Sequence, residues 1–144
     1  MGVNPVPEGY RSVTPYLVVN GAAKVIDFAK AAFGAKELVR MPGPDGRIGH
    51  AEIKIGDSMV MIADGSEQHP PTTSFLYLYV PDVDATYQNA IRAGATSDQP
   101  PTTQFYGDRN AMLRDSAGNR WGIATHVEEV SPEEMKKRMA AMKK

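Results

Sequence analysis

Two short, strand-like stretches of mostly apolar residues decide the fold: PYLVV at residues 15–19 and LYLYV at residues 76–80. Each stretch is followed by a turn and an amphipathic segment that closes on a glycine, Gly34 in the first case and Gly94 in the second. The two stretches begin 61 residues apart, and the two glycines lie 60 residues apart. The same order of elements at the same spacing indicates two copies of one small module.

Within each copy, the amphipathic segment carries apolar residues at spacings of three and four, which predicts a helix with one buried face. We expect Asn20 to cap the first helix and Asp82 to cap the second, with the two glycines ending them. Three strand signals follow each helix. The weakest is Thr96–Gln99, which precedes a Pro- and Thr-rich loop at residues 100–104. Each half therefore reads β-α-β-β-β.

The tail adds one more helix, because Ser131 and Glu134 form a capping box around a proline at the first helical position. Its methionines form a narrow apolar stripe (Met135, Met139 and Met142), which packs either on its own domain or on a second subunit. The expected units are a single domain (residues 1–144) made of module one (about 10–66), module two (about 73–128) and a C-terminal helix (about 131–143).

Composition excludes several classes of function. Sixteen Lys and Arg against 17 Asp and Glu give a net charge of −1, with no basic surface for nucleic acid or anionic lipid. No apolar run is long enough to span a bilayer, and the N-terminus lacks the pattern of a signal peptide. The absence of cysteine excludes disulfides, thiolate metal sites and cysteine nucleophiles. We expect a cytoplasmic protein without nucleic-acid or membrane partners.

Side-chain alternation along the strands separates two faces of the predicted sheet. One face is apolar throughout, includes Trp121, and is expected to lie under the helices. The other, here called the open face, combines aromatic rings, methionines and charged groups (Thr14, Tyr16, Val18, His50, Glu52, Lys54, Met59, Met61, Phe75, Tyr77, Tyr79, Asn110, Met112, Arg114, Arg120, Gly122 and Ala124). This mixture is typical of a small-molecule pocket, but it also suits a half-exposed sheet or a subunit interface.

The candidate ligand-binding residues are Tyr16, His50, Glu52, Met59, Met61, Phe75, Tyr77, Tyr79, Arg109 and Met112. His50 and Glu52 lie two apart on one strand, so both face the same side. They are candidates for acid–base catalysis, for hydrogen bonds to a ligand, or for a structural pair, and the sequence leaves all three open. Arg109 either pairs with Asp108 or Asp115 or holds an anionic ligand.

Several segments of the chain resemble one known superfamily: Thr14–Leu17, His50–Ile53 with Gly56–Ser58, Gly107–Arg109, Asp115 with Gly118–Trp121, and the tail Thr125–Met135. The resemblance covers about residues 10–138 and is to the vicinal oxygen chelate superfamily, in its glyoxalase/bleomycin-resistance-like, PhnB-like branch. It implies an α+β fold in which two βαβββ modules form a cupped, eight-stranded mixed sheet, commonly closed across a homodimer.

The resemblance also implies where a metal would be held. Metal-using members place one ligand at each of four positions, which correspond here to Thr14, Met61, Phe75 and Gly122. Divalent metals require imidazole or carboxylate ligands, and none of these four residues supplies one. We therefore expect neither metal nor cofactor.

By resemblance, the expected function is binding of an aromatic or amphipathic small molecule, as in drug-sequestering bleomycin-resistance proteins. The alternatives are a glyoxalase-type lyase or dioxygenase, and a structural dimer without a ligand. No residue is assigned to catalysis beyond the candidates His50 and Glu52.

Overall fold

The computed structural model describes residues 2–142. Its first module consists of β1 (Tyr16–Val19), α1 (Ala22–Phe33), β2 (Lys36–Pro42), β3 (Ile48–Ile55) and β4 (Ser58–Asp64). Its second consists of β5 (Phe75–Tyr79), α2 (Val83–Arg92), β6 (Thr96–Thr103), β7 (Asp108–Arg114) and β8 (Arg120–His126), followed by α3 (Pro132–Met142). The α+β class, the two βαβββ modules and the C-terminal helix are confirmed. The described residues do not include residues 1, 143 and 144 of the predicted domain. The predicted end of the C-terminal helix, at residue 143, is therefore outside them as well.

The two modules have the same strand topology. Hydrogen bonding divides the eight strands into two mixed sheets of four, in the orders β1-β4-β3-β2 and β5-β8-β7-β6. In each sheet the first strand pairs in parallel with the last, and the other neighbours are antiparallel. Consequently β1 and β5, which carry the two repeated apolar stretches, are both edge strands.

The core lies between the helices and one face of each sheet, as the alternation predicts. Trp121 is fully buried, and its ring lies 6.2 Å from that of Phe28 and 5.1 Å from that of Phe33. Both phenylalanines belong to α1 in the first module, and Trp121 belongs to β8 in the second. These contacts therefore join the two modules into one core. Burying aromatic side chains of this size contributes much of the favourable free energy of folding.

The predicted helix ends are partly confirmed. Asp82 caps α2, since its carboxylate accepts from the N–H of Ala85 at 3.1 Å. The prediction that Asn20 caps α1 is wrong. The cap position is Gly21, in the left-handed region at φ 83°, and no side chain next to it in sequence caps the helix. The carboxylate of Asp64, at the end of β4, accepts from the N–H groups of Gly21 and Ala22 instead.

Strand β6 extends further than predicted. The sequence predicts that it ends at Gln99, but it continues through Pro100 and Pro101 to Thr103. The pairing with β7 shifts register between Gln99 and Thr102, so the prolines lie in a bulge. Because β6 is also an edge strand, the missing N–H groups of the prolines do not interrupt the sheet.

Helix α3 is attached by ion pairs, not by apolar burial. The N–H of Glu134 donates to Ser131 Oγ, as the capping box predicts, but the Glu134 carboxylate accepts from Arg138. Arg138 also donates to the carbonyl of Phe105 and to Glu128. No residue of α3 is buried, and Met139 and Met142 are exposed, so the stripe does not enter the core. Across residues 2–142, no helix has the length and apolar character needed to cross a membrane.

Candidate functional site

The structure separates the sequence-predicted site residues into two groups, one on the open face of each sheet. The first group is formed by Tyr16, His50, Glu52, Met59 and Met61. The second is formed by Phe75, Tyr77, Tyr79 and Met112, with Gly122 opposite both Tyr77 and Met112. Within residues 2–142, no hydrogen bond, ion pair or ring contact joins the two groups. Within the described residues the candidates therefore lie on two surfaces, one on each sheet.

On the first sheet, the polar side chains form one hydrogen-bonded chain. The Tyr10 hydroxyl donates to Glu52 Oε1, Glu52 Oε2 lies 2.8 Å from His50 Nε2, and His50 Nδ1 lies 2.9 Å from the Tyr16 hydroxyl. Hydrogen bonds from Tyr10 and His50 hold the pKa of Glu52 below its usual range. Burial, and then the contact with Glu52, raises the pKa of Tyr10 to about 12. Both nitrogens of His50 and both oxygens of Glu52 are thus engaged, which favours the structural pairing.

A cavity of about 650 Å³ lies on this same open face, beside that chain. Tyr16, Val18 and Ala63 form part of its apolar lining, and the loops before β3 and after β4 form its rim. Arg47 links the two loops by donating to the carbonyl of Gly65 at 3.1 Å. Of the sequence-predicted residues only Tyr16 lines this cavity. Sequence reasoning missed it because its rim depends on the meeting of two loops distant in sequence.

On the second sheet, the tyrosines converge on a buried carboxylate. Asp108, only 5% exposed, accepts from Tyr77 at 3.2 Å and from Tyr79 at 2.9 Å through one oxygen, and its other oxygen lies 3.0 Å from His126 Nδ1. Burial acts to raise the pKa of Asp108, but hydrogen bonds from His126, Tyr79 and Tyr77 outweigh it and hold the pKa below its usual range. Burial, together with the charge of Asp108, raises the pKa of Tyr77 to about 12.

A buried amide extends this network. Asn110, only 1% exposed, donates through Nδ2 to the hydroxyls of Tyr77 and Tyr106, and its oxygen accepts from Gln99 and Gln104. Sequence reasoning did not assign Asp108, Asn110, Tyr106 or His126 to the site. The sequence did contain a signal for Asp108 and Asn110: they are separated from Met112 in β7 by even numbers of residues, so all three side chains project from the same face of the sheet.

The tyrosine rings remain accessible although their hydroxyls are fixed. Tyr77 is 39% exposed and Tyr79 is 65% exposed, and their ring centroids lie 5.5 Å apart in an edge-to-face arrangement. Phe75 is 51% exposed, but the guanidinium of Arg120 lies over its ring at 4.4 Å from the centroid. Three half-exposed rings therefore line β5, and a groove of about 760 Å³ runs beside them.

Two of the candidate ligand contacts are corrected. Arg109 lies on the helix side and donates to both oxygens of Asp84 in α2, at 2.9 and 3.0 Å. The reason is strand parity: Arg109 alternates with Asp108 and Asn110, which belong to the open face. Met59 is on the open face but only 8% exposed. Its side chain is therefore covered by its neighbours and has little surface left to contact a ligand.

The donor chemistry at the four positions corresponding to superfamily metal ligands does not fit a divalent metal. Thr14 and Met61 are poor ligands, and Phe75 and Gly122 supply no donor atom. At Gly122 the space is taken by an aromatic ring, since a Cβ built there would lie 2.6 Å from Tyr77 Cδ2. Within residues 2–142, no group of three or more His, Asp and Glu side chains is arranged to hold a metal ion.

Comparison with known proteins agrees with this fold. The model of the Glyoxalase/Bleomycin resistance protein/Dioxygenase superfamily matches residues 11–123. The chain belongs to this superfamily. Mb0911c of Mycobacterium bovis and Rv0887c of Mycobacterium tuberculosis are each 37% identical to the chain over an alignment of 152 residues. The alignments cover 98% of this chain, 97% of Mb0911c and 87% of Rv0887c.

Two solved structures are similar to the chain over most of their own length. TioX from Micromonospora sp. ML1 has a TM-score of 0.70 and 25% identity, with 81% of this chain and 99% of TioX covered. TnmS3, an antibiotic binding protein from Streptomyces sp. CB03234, has a TM-score of 0.63 and 26% identity, with 88% of this chain and 98% of TnmS3 covered. A protein described as antibiotic-binding is thus among its structural relatives.

Proposed function

We propose that the protein binds an aromatic or amphipathic small molecule non-covalently, without a metal or cofactor. The observation that carries this proposal is the state of Tyr77 and Tyr79, whose hydroxyls are fixed by Asp108 while their rings stay exposed. Aromatic rings fixed in this way stack on a ligand with little further loss of side-chain entropy.

The surroundings of these rings suit a ligand of ordinary size. The groove beside β5 and the cavity near Tyr16 measure about 760 and about 650 Å³, within the usual range of small-molecule sites, roughly 300–1,000 Å³. Met112 is half-buried on the same face as Tyr77, and a flexible thioether adapts to ligands of different shape. These features favour loose selectivity over the strict geometry that catalysis requires.

Two further observations support a metal-free binding role. The positions corresponding to superfamily metal ligands carry no suitable donor, and one of them is occupied by the Tyr77 ring. TnmS3, which shares 26% identity over nearly its whole length, is described as an antibiotic binding protein. We therefore favour drug sequestration over lyase or dioxygenase chemistry. A cytoplasmic location and membership of the PhnB-like branch remain part of the proposal.

A homodimer completes the proposal. Strand β5 has a hydrogen-bonded neighbour on one side only within residues 2–142, and its exposed rings are uncovered. An edge strand of this kind is normally covered by another element, and a second copy of the chain is the commonest partner. Such a partner would bring a second open face near the groove beside β5.

Calorimetric titration with a panel of planar aromatic compounds tests the binding function. We expect several to bind with dissociation constants of about a micromolar. Tyr77→Ala and Tyr79→Ala should weaken them by about 1–3 kcal/mol, as loss of a buried aromatic contact does. Tyr79→Phe, which keeps the ring, should weaken them less. The matched control is Ile91→Ala, an exposed apolar truncation on α2.

His50→Ala should reduce affinity only for compounds with a polar group within reach of the first sheet. If Tyr77→Ala and Tyr79→Ala bind every compound as well as the parent does, the open face of the second sheet is not the site. If no aromatic compound binds, the proposed function itself is wrong.

A further inference from the structure

Two arginines face each other at one end of the open face of the second sheet. Arg114 in β7 and Arg120 in β8 are direct partners in the antiparallel ladder. Side chains of direct partners project from the same face with their Cβ atoms about 5 Å apart, and like charges in this position repel. This repulsion lowers the stability of the sheet, so a negative charge beside either arginine would be favourable.

Within the part of the chain that the structure describes, one of the two arginines has a carboxylate partner and the other has none. Arg114 pairs with Asp98 in β6, with both carboxylate oxygens 3.0 Å from its Nε. Across residues 2–142, the guanidinium of Arg120 makes no ion pair and no hydrogen bond, and its contact is with the ring of Phe75 at 4.4 Å. All five N–H donors of this guanidinium are therefore available.

The buried carboxylate of this face, Asp108, already has its hydrogen bonds satisfied. Asp108 accepts from Tyr77, Tyr79 and His126, which occupy both of its oxygens. A cationic ligand would have to displace one of these donors. An anionic ligand would meet an unpaired guanidinium that Phe75 already orients.

We infer that Arg120 is an anion-binding residue and that the ligand is a planar aromatic anion, with a carboxylate or sulfonate at the Arg120 end. The inference rests on the proposed function and names its ligand class. A guanidinium binds a carboxylate through two parallel hydrogen bonds, and resting it on a ring fixes its plane. Tyr77 lies two residues beyond Phe75 on the same face, about 7 Å along the strand. A fused bicyclic ring held by its acidic group at Arg120 therefore reaches the Tyr77 ring.

A pair of fluorescent probes with the same rings tests this inference. 8-Anilinonaphthalene-1-sulfonate carries a sulfonate, and N-phenyl-1-naphthylamine is its neutral counterpart. We expect the parent protein to bind the sulfonate about tenfold more tightly, since a charge-assisted hydrogen bond is worth about that factor. In Arg120→Gln the ratio of the two affinities should fall close to one. Arg120→Lys, which keeps the charge without the planar donor pair, should give an intermediate ratio.

The control variant is Arg92→Gln, which makes the same charge change on the exposed face of α2 and should keep the ratio of the parent. Melting temperatures distinguish a binding role from a structural one. Arg120→Gln removes a like-charge contact with Arg114 and a favourable contact with the Phe75 ring, which oppose each other, so its melting temperature should stay close to that of the parent.

Three outcomes would overturn the inference: equal binding of both probes to the parent, an unchanged ratio in Arg120→Gln, or an equal loss of preference in Arg92→Gln. In each of these cases the neutral probe still binds, and the proposed function stands. If neither probe binds the parent, the inference fails, and the proposed function fails with it only if no compound of the aromatic panel binds either.

Discussion

The ring of Tyr77 fills the place of a side chain at Gly122. A Cβ built on Gly122 would lie 2.6 Å from Tyr77 Cδ2 and 3.2 Å from Met112 Sδ. The distance to Tyr77 is too short for a real Cβ, and the distance to Met112 is tight, so β8 requires glycine at this position as long as the ring keeps its place. Since Asp108 and Asn110 also hold the Tyr77 hydroxyl, the ring is fixed at both ends.

Gly122→Ala should therefore destabilise the fold by about 1–3 kcal/mol through overpacking, as measured by chemical denaturation. In a Tyr77→Ala background the same substitution should cost much less, because the clashing ring is gone; the two changes should be coupled by about 0.5–3 kcal/mol. Gly49→Ala is the control, since a Cβ there meets Pro42 O at an ordinary 3.4 Å. If Gly122→Ala lowers the free energy of unfolding equally in both backgrounds, the Tyr77 ring is not the cause of the destabilisation.

Divalent metals should not stabilise the protein. A ligand that binds only the native state raises the melting temperature, so a genuine site would respond to added zinc, nickel, manganese or ferrous iron. Because Thr14, Met61, Phe75 and Gly122 lack suitable donors, we expect no rise and well under one equivalent of metal in purified, untagged protein. A stoichiometric, stabilising metal would contradict this expectation and support the lyase alternative.

The contacts of His126 should make stability depend on pH. Hydrogen bonds first to Asp108 and then to Glu129 raise the pKa of His126 above its usual value. A histidine whose pKa is higher in the folded than in the unfolded state stabilises the fold when it is protonated. This contribution is fully present below the unfolded pKa of about 6.5, and it is lost as the pH rises through the folded pKa. The pKa of Asp108 is lowered, so its own contribution is lost only in acid, below that window.

We therefore expect His126→Asn to lower the melting temperature at about pH 5.5 and to have a smaller effect at about pH 9. His69→Asn, in the exposed loop after β4, should show no such dependence. If the difference in melting temperature between the parent and His126→Asn stays constant or grows as the pH rises, the assigned contacts of His126 are wrong. A titration of the His126 ring by NMR would measure the raised pKa directly.

The protein should be a homodimer at micromolar concentration. Phe75 and Tyr79 are exposed on an edge strand, and Met139 and Met142 are exposed on α3, so the chain presents apolar surface at two places. Monomeric proteins rarely leave extended apolar patches uncovered. Sedimentation equilibrium should give twice the mass of one chain. A monomer over the whole micromolar range would show that both surfaces stay exposed or are covered by another partner.

The sequence alone determined the parts of the fold that depend on local periodicity. The spacing of 60–61 residues predicts two equivalent modules, and alternation predicts that Trp121 is buried and Tyr77 is not. Asp82 as a helix cap and Gly34 as a helix end also follow from sequence, because a cap acts on backbone groups within a few residues. In principle, the same alternation also excluded Arg109 from the open face.

Only the tertiary structure decided which distant residues meet. Asp64 caps α1 from 42 residues away, and Asp108 receives the hydroxyls of Tyr77 and Tyr79 from 31 and 29 residues away. These contacts depend on which strands pair and in which register. The division into two sheets and the pairing of Arg114 with Arg120 across β7 and β8 have the same origin. Periodicity fixes the face to which a side chain belongs, but strand pairing fixes its neighbours, because those are set by hydrogen bonds between segments far apart in the chain.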